Sequence, residues 1–299
     1  MAFSPTGESL AFGSRDDSLH LWRIGDADAV RRSEGGALVT WVRRRTGAPW
    51  RLLSLGCKGT VNLYDPVSLR RDDWITQPGA LGAVTSSGLL VTAEGDLADR
   101  IRVFPLGAEV PADRAITLPR FVGLSGRLSG LLANADATTM VLGGTISNGV
   151  GAPSDGFVLF WNRNASERPV LRQVDSAVLA LAVTSDGSRV AAVGYEGSGD
   201  LVVGRARVFD SEKANEVLAL PPQPKALTCA AFRPSSTCLA VGGADGVVRF
   251  FDAAGGRLRA WVKNGAPVSA LAFNAPGDRL AVGGEDGSVR LYDVTPVVP

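Results

Sequence analysis

The sequence predicts an all-β fold assembled from seven copies of one four-stranded antiparallel unit, and three observations carry that reading. The phrase LAVGGADGVVRFFD (239–252) returns forty-one residues later as LAVGGEDGSVRLYD (280–293), with mainly its polar letters changed. A unit that cannot bury its own surface is stacked against copies of itself, so such repetition speaks of architecture before chemistry. The aromatics that close the copies, Trp22, Tyr64, Phe104, Trp161, Phe209, Phe251 and Tyr292, are separated by 42, 40, 57, 48, 42 and 41 residues. Finally, the runs between turn signals are rich in Val, Leu, Ala and Phe on both alternating faces, and no segment sustains an apolar stripe at helical period.

The copies can be followed in order. LAFGSRDDSLHLWR (10–23) and LLSLGCKGTVNLYD (52–65) match the phrase without a gap. Three copies carry extra residues in the middle: LVTAEGDLADRIRVFP ending at Pro105, VLGGTISNGVGAPSDGFVLFWN ending at Asn162, and AAVGYEGSGDLVVGRARVFD ending at Asp210. The last two copies are the phrase itself. Ahead of several copies stand a strand and a tight turn, as in ALAVTSDGSRVAAVG, CAAFRPSSTCLAVGG and ALAFNAPGDRLAVGG. Their Pro-Gly and Asp-Gly steps punctuate hairpins. Strands apolar on both faces are expected where each sheet is sandwiched between two others. A repeat near 40 residues is the period of a four-stranded propeller blade.

The recurring small-residue strand, Asp-Gly turn and strand ending in aromatic-Asp resembles the WD40-repeat family, over nearly the whole chain. The resemblance implies one seven-bladed β-propeller domain over residues 1–299. It also implies that blades carry a histidine bonded through a strand Ser or Thr and the turn Asp to the Trp. This chain has one histidine, His20, placed in a third strand, and Val241, Val282, Phe12 and Leu142 stand at the Ser/Thr position. Losing such partners together can be nearly neutral, whereas orphaning one costs about 1 to 3 kcal/mol. The aspartates that remain at or near the turn, Asp16 or Asp17, Asp99, Asp155, Asp245 and Asp286, are therefore expected to cap their own turns. Met1 aligns with Leu271, partway into a first strand, and the tail DVTPVVP makes a poor ladder strand. The ring is thus expected to be incompletely closed at its N-terminus, with a strand supplied from upstream.

Composition narrows the function. A formal net charge of +1 argues against a global drive toward nucleic acid or membrane surface. No run approaches the roughly 18 apolar residues of a membrane span, and the first residues lack a secretory pattern. The three cysteines, Cys57, Cys229 and Cys238, are too few for a disulfide scaffold or a four-ligand zinc site, which points to a reduced, cytoplasmic setting. Cys229 and Cys238 fall on the two strands of one expected hairpin and could face each other across it, as buried small residues. A single histidine excludes Ser-His-Asp and histidine-rich metal chemistry, and no nucleophile elbow or phosphate-binding loop is present. No cofactor or metal is expected.

The expected function is a non-enzymatic scaffold that displays a rim and central mouth to a protein or peptide, as a monomeric module. Insertions in repeat arrays often collect on a binding face, and those of the third, fourth and fifth copies would raise loops on one rim. From these loops Asp96, Arg100, Asn148, Asp155, Tyr195 and Glu196 are the candidate partner-binding residues. Asp245 and Asp286 are expected as turn residues and Trp22 and Trp161 as blade-packing residues. Two rival readings remain: a metal-dependent propeller hydrolase or lactonase using channel carboxylates, and a nucleic-acid-associated factor using a basic patch of Arg43, Arg44, Arg45 and Arg51, with Arg31, Arg32, Arg70 and Arg71 nearby. Arginines on exposed sheet edges also block aggregation, and Glu34, Asp72 and Asp73 offset their charge.

Overall fold

The computed structural model describes the chain apart from residues 15, 33–37, 44–46, 56–59, 77–80, 86–88, 95–99, 106–114, 118–124, 135–136, 148–154, 163–168 and 296–299. Among the described residues the protein is all-β, with seven antiparallel sheets and a single 3-10 turn. The chain forms two compact units, Met1–Arg120 with Ala133–Thr138, and Phe121–Leu132 with Thr139–Pro299.

Three sheets belong to the first unit. Sheet 1 is β1 (Ala2–Phe3), β2 (Ser9–Gly13), β3 (Leu19–Arg23) and β4 (Val30–Arg32). Sheet 2 is β5 (Leu38–Val42), β6 (Arg51–Leu55), β7 (Thr60–Tyr64) and β8 (Arg71–Thr76). Sheet 3 is β9 (Leu81–Val84), β10 (Leu89–Glu94), β11 (Arg100–Pro105) and β12 (Ala115–Thr117). Four sheets follow, nearly all within the second unit. Sheet 4 is β13 (Ser125–Ala133), β14 (Thr139–Ser147), β15 (Asp155–Asn162) and β16 (Val170–Val174). Sheet 5 is β17 (Ala177–Val183), β18 (Arg189–Glu196), β19 (Val203–Asp210) and β20 (Glu216–Ala219). Sheet 6 is β21 (Leu227–Phe232), β22 (Cys238–Gly243), β23 (Val247–Asp252) and β24 (Leu258–Lys263). Sheet 7 is β25 (Val268–Phe273), β26 (Arg279–Gly284) and β27 (Val289–Asp293).

The repeated phrase is the second and third strands of a sheet and the turn between them. Its apolar start is buried on both faces: Leu239, Ala240 and Val241 of β22 and Leu280, Ala281 and Val282 of β26 are all at or below 1% exposed. Successive residues of a strand face opposite ways, so each second strand is sealed on both sides. Closing aromatics Phe209, Phe251, Tyr64 and Trp161 are buried, while Trp22 and Tyr292 are half-buried.

The paired glycines answer to two steric demands. In sheets 5, 6 and 7 the first strand carries a β-bulge where it meets them, between Val178 and Ala180, Leu227 and Cys229, and Val268 and Ala270. A Cβ on Gly242 would come within 2.6 Å of Val268 and 2.7 Å of Cys229, so the first glycine admits the bulged strand and the next sheet. At the second glycine, Gly243, a Cβ would collide with the turn carboxylate of Asp245, and at Gly284 with that of Asp286. Glycine inside a strand often marks such a close approach.

Neighbouring sheets of the second unit are also joined by hydroxyls on their innermost strands. Ser129 Oγ lies 3.2 Å from the Gly143 carbonyl oxygen and 2.5 Å from that of Val178 in sheet 5. Thr228 Oγ1 repeats the arrangement with Gly242 (3.2 Å) and Val268 of sheet 7 (2.5 Å).

Sheet 7 departs from the four-stranded expectation, with three strands among the described residues. Val294 donates its N–H to the Asp278 carbonyl in the first hairpin turn and is fully buried.

The turn acids are set by local bonding. Asp186 accepts from Thr184 Oγ1 at 2.5 Å and from the Ser188 N–H at 3.0 Å and hydroxyl at 2.9 Å. These bonds hold its carboxyl down from 3.8 to about 2. A value depressed on folding adds stability that is present above the unfolded value and lost as pH falls through the folded one. Asp186→Asn is therefore expected to flatten the fall in melting temperature between pH 4 and pH 2, read by thermal unfolding across that range. An unchanged slope would show that Asp186 carries none of it.

Candidate functional site

The rim candidates divide by what the structure describes. Asp96 and Asn148 lie outside the described residues, and Arg100 is placed only by its backbone, at the start of β11 opposite Thr117. Asp155, Tyr195 and Glu196 are brought to one end of sheets 4 and 5. Asp155 opens β15 opposite Ile146, and Tyr195 and Glu196 end β18 opposite Gly204 and Val203. Between them runs Ser176–Ala177. A Cβ on Gly156, next to Asp155, would collide with the Ser176 carbonyl oxygen, and Ala177 is the register partner of Tyr195.

The β18–β19 hairpin outreaches those of sheets 6 and 7, and the cause is local. Where sheets 6 and 7 turn through Asp-Gly, sheet 5 continues its ladder to Glu196 and closes through Gly197 (φ +88°), Gly199 (φ +58°) and a 3-10 turn over Gly199–Leu201. Both glycines take a backbone conformation that disfavours side chains. Glu196 Oε2 accepts from Arg205 Nε at 2.7 Å and lies 2.7 Å from a terminal guanidinium nitrogen. The segment PPQPK, 221–225, straps the hairpin from beside: Gly204 and Gln223 exchange N–H to carbonyl bonds of 2.8 and 2.9 Å. Gln223 is itself pinned by its amide bond to the Pro221 carbonyl, 2.6 Å. The tip presents Leu201, 80% exposed, above a neutralised acid–base pair and a half-buried tyrosine. Such a surface can dock an apolar side chain and offer hydrogen bonds around it, with little ordering cost because the loop is already tied down.

The other singled-out residues are placed as follows. Asp245 caps the Val247 N–H at 3.1 Å and pairs with Arg249 at 2.6 Å. Asp286 accepts from the Ser288 N–H at 3.1 Å and hydroxyl at 2.6 Å, and lies 3.6 Å from Arg290. Trp161 is buried, and the half-buried Trp22 donates its indole N–H to the Asp26 carbonyl at 3.0 Å. In the basic patch, Arg44 and Arg45 lie outside the described residues. Arg43 stacks 4.9 Å over the Trp50 ring, and Arg51 pairs with Asp72 and lies 3.7 Å from Asp65. Arg31 and Arg32 fall on β4, while Arg70 and Arg71 are exposed at the start of β8.

One expectation needs correction, that Cys229 and Cys238 face each other. His20 lies in a third strand, as expected: its Nε2 lies 2.8 Å from Ser18 Oγ, which donates to Asp16 Oδ1 at 2.5 Å, and its ring stacks parallel on Phe12 at 5.0 Å. It occupies the register held by Arg249 and Arg290 in sheets 6 and 7, so it takes the cation's place beside the turn acid. Cys229 and Cys238 do not face each other: the register of the hairpin sets Cys229 opposite Gly242, while Cys238, next to the turn, bonds Arg233 and pairs with Asp252. Both are free and buried, and desolvation pushes their thiols up to about 12 and about 11.

Three features escaped sequence reasoning. The aspartate that ends the phrase is a second cap, at the opposite end of the third strand. Asp65 accepts from the N–H groups of Ser68 and Val67, Asp210 from Lys213 and Glu212, Asp252 from Ala254 and Asp293 from Thr295, all within 3.1 Å. These bonds lower all four carboxyls. Ser54 and Thr92 keep the hydroxyl at the register of Val241, buried and with no hydrogen-bond partner among the described residues. The stitching hydroxyls Ser129 and Thr228 could have been noticed as the polar letters of otherwise apolar inner strands.

Among the described residues no group of three or more His, Cys, Asp or Glu side chains could hold a metal ion. No helix among them is long and apolar enough to cross a membrane. Residues 1–23, 216–252 and 257–293 match the family model for the WD domain, G-beta repeat. A comparison with curated proteins found no match. The chain thus carries WD40 repeats in these three segments, within an all-β structure of seven antiparallel sheets among the described residues.

Proposed function

We propose that the chain is a non-enzymatic protein-interaction scaffold, a single seven-bladed propeller domain whose partner docks on the rim where Asp155, Tyr195 and Glu196 converge. WD40 repeats generally serve as protein-interaction scaffolds. The observation that carries the site is the strapped β18–β19 hairpin, whose ion pair and proline-rich brace hold an 80% exposed Leu201 in place. Asp96, Arg100 and Asn148 are further candidates, each on the lengthened copy that contains it. Affinity would come from a few anchors on a preformed surface and not from total area.

The test is photo-crosslinking in the native host, with the crosslinking residue placed at Leu201 or, as a control, at Lys213, which lies at the opposite end of β19. A discrete adduct from position 201 that is weakened by Glu196→Arg, and none from 213, is the expected result. Adducts from 213 alone would move the docking surface to the other end of the sheet.

A further inference from the structure

The outermost strand of sheet 6 is built differently from its neighbours. β20 is four residues long and carries an acid, Glu216, and β16 is held from outside by the bond from Arg172 Nε to the Ala214 carbonyl. β24 runs six residues, is the edge of its sheet, and exposes Leu258 (45%) and Trp261 (57%). Its inward residues Ala260 and Val262 pack on the core shared with sheet 7. Trp261 and Lys263 therefore stand on the opposite face, with the Lys263 ammonium 6.0 Å from the centre of the indole ring.

The free edge of β24 also has a defined polarity. Asn264 donates its N–H to the Gly246 carbonyl at 2.8 Å, which makes Gly246 and Asn264 a hydrogen-bonded pair. Hydrogen-bonded and non-hydrogen-bonded pairs alternate along an antiparallel ladder. The pairs Val247–Lys263 and Arg249–Trp261 are then of the second kind, and the backbone N–H and carbonyl groups of Trp261 and Lys263 point away from β23. The Lys263 carbonyl accepts from the Tyr292 hydroxyl at 3.3 Å, so the edge offers chiefly the two groups of Trp261 and the N–H of Lys263, beside the side chains of the same residues. Nearby acids are already engaged: Asp252 with Arg259 at 2.7 Å and Asp245 with Arg249 at 2.6 Å. Among the described residues, Lys263 and the exposed Arg257 have no acidic partner, so the edge carries surplus positive charge.

We propose that the outer edge of β24 is a second docking site, separate from the rim, where an extended acidic peptide adds as a fifth strand of sheet 6. Strand addition supplies affinity through the main chain and specificity through alternate side chains. Here an aliphatic side chain of the peptide lies on Trp261, and carboxylates two positions to either side meet Lys263 and Arg259. An edge meant only to repel other strands would carry charge without a large exposed aromatic.

The test uses the full chain and blocked seven-residue peptides with valine at the centre, threonine on either side, and glutamate two positions out. Binding is followed by isothermal titration, against a version with lysine for glutamate and one whose central amide nitrogen is methylated. The glutamate peptide is expected to bind, and the other two to bind at least about tenfold more weakly, as Trp261→Ala and Lys263→Glu also should (tenfold being about 1.4 kcal/mol). These surface variants should melt with the parent, which separates lost docking from lost fold. Equal binding of the glutamate and lysine peptides, indifference to the methyl group, or no binding at millimolar peptide would overturn the proposal. So would concentration-dependent dimerisation abolished by Trp261→Ala, which would give the edge to a second copy of the chain.

Discussion

Gly194→Ala is expected to cost about 3 kcal/mol or more, the upper part of the range for forcing extra atoms into a packed interior. Gly194 stands opposite the bulge of β17, and a Cβ there would overlap the Ala177 carbonyl oxygen and come within 2.8 Å of its carbon. Both are backbone atoms of a buried strand, so no side chain can swing aside. A control is Gly187→Ala, where φ is +74° and nothing lies within 4 Å. There only left-handed strain applies, about 1 to 2 kcal/mol. Thermal melts of the two variants decide the matter. If they coincide within a degree or two, the bulge tolerates a side chain and the steric account of the paired glycines is wrong.

Phe209→Ala should be comparably severe, at about 3 to 5 kcal/mol for an aromatic removed from a sealed core. Phe209 is 1% exposed and meets Phe160 of sheet 4 at 5.8 Å between ring centres, tilted 54°. The same cluster holds Val158, Val190 and Ala214. Its loss opens a cavity where two sheets meet, at the end of β18 and β19 away from Tyr195 and Glu196. Chemical denaturation should show a lower midpoint. A loss under about 1 kcal/mol would mean that the site collapses around the gap.

Much of the architecture was legible because a repeat multiplies a weak signal. Asp-Gly steps, aromatic ends and two-faced apolar runs are local properties, and local properties survive in sequence. What stayed hidden depends on pairing. Leu179, Thr228 and Ser269 are extra residues of bulged strands only because of where Gly194, Gly243 and Gly284 lie opposite, and no neighbour in sequence says so. The same holds for His20, whose place in line with Arg249, beside the turn acid, is set by the pairing of its strand. Cys229 and Cys238 looked like partners because the sequence shows the hairpin but not which residues pair across it. The phrase-ending aspartates were visible as letters, but their work is done beyond the phrase, on the N–H groups of the turn that follows.

Ser129 and Thr228 join the inner strand of one sheet to that of the next, sheet 4 to sheet 5 and sheet 6 to sheet 7. At the matching position sheet 5 has Leu179, which has no hydroxyl to offer sheet 6. Among the described residues of the second unit, this bonding couples sheet 4 to sheet 5 and sheet 6 to sheet 7 and skips the step from 5 to 6. Sheets that look interchangeable in the sequence therefore differ in whether they give or receive a hydroxyl bond. A substitution at one copy of the phrase does not have the same neighbours to answer to as the identical substitution in the next.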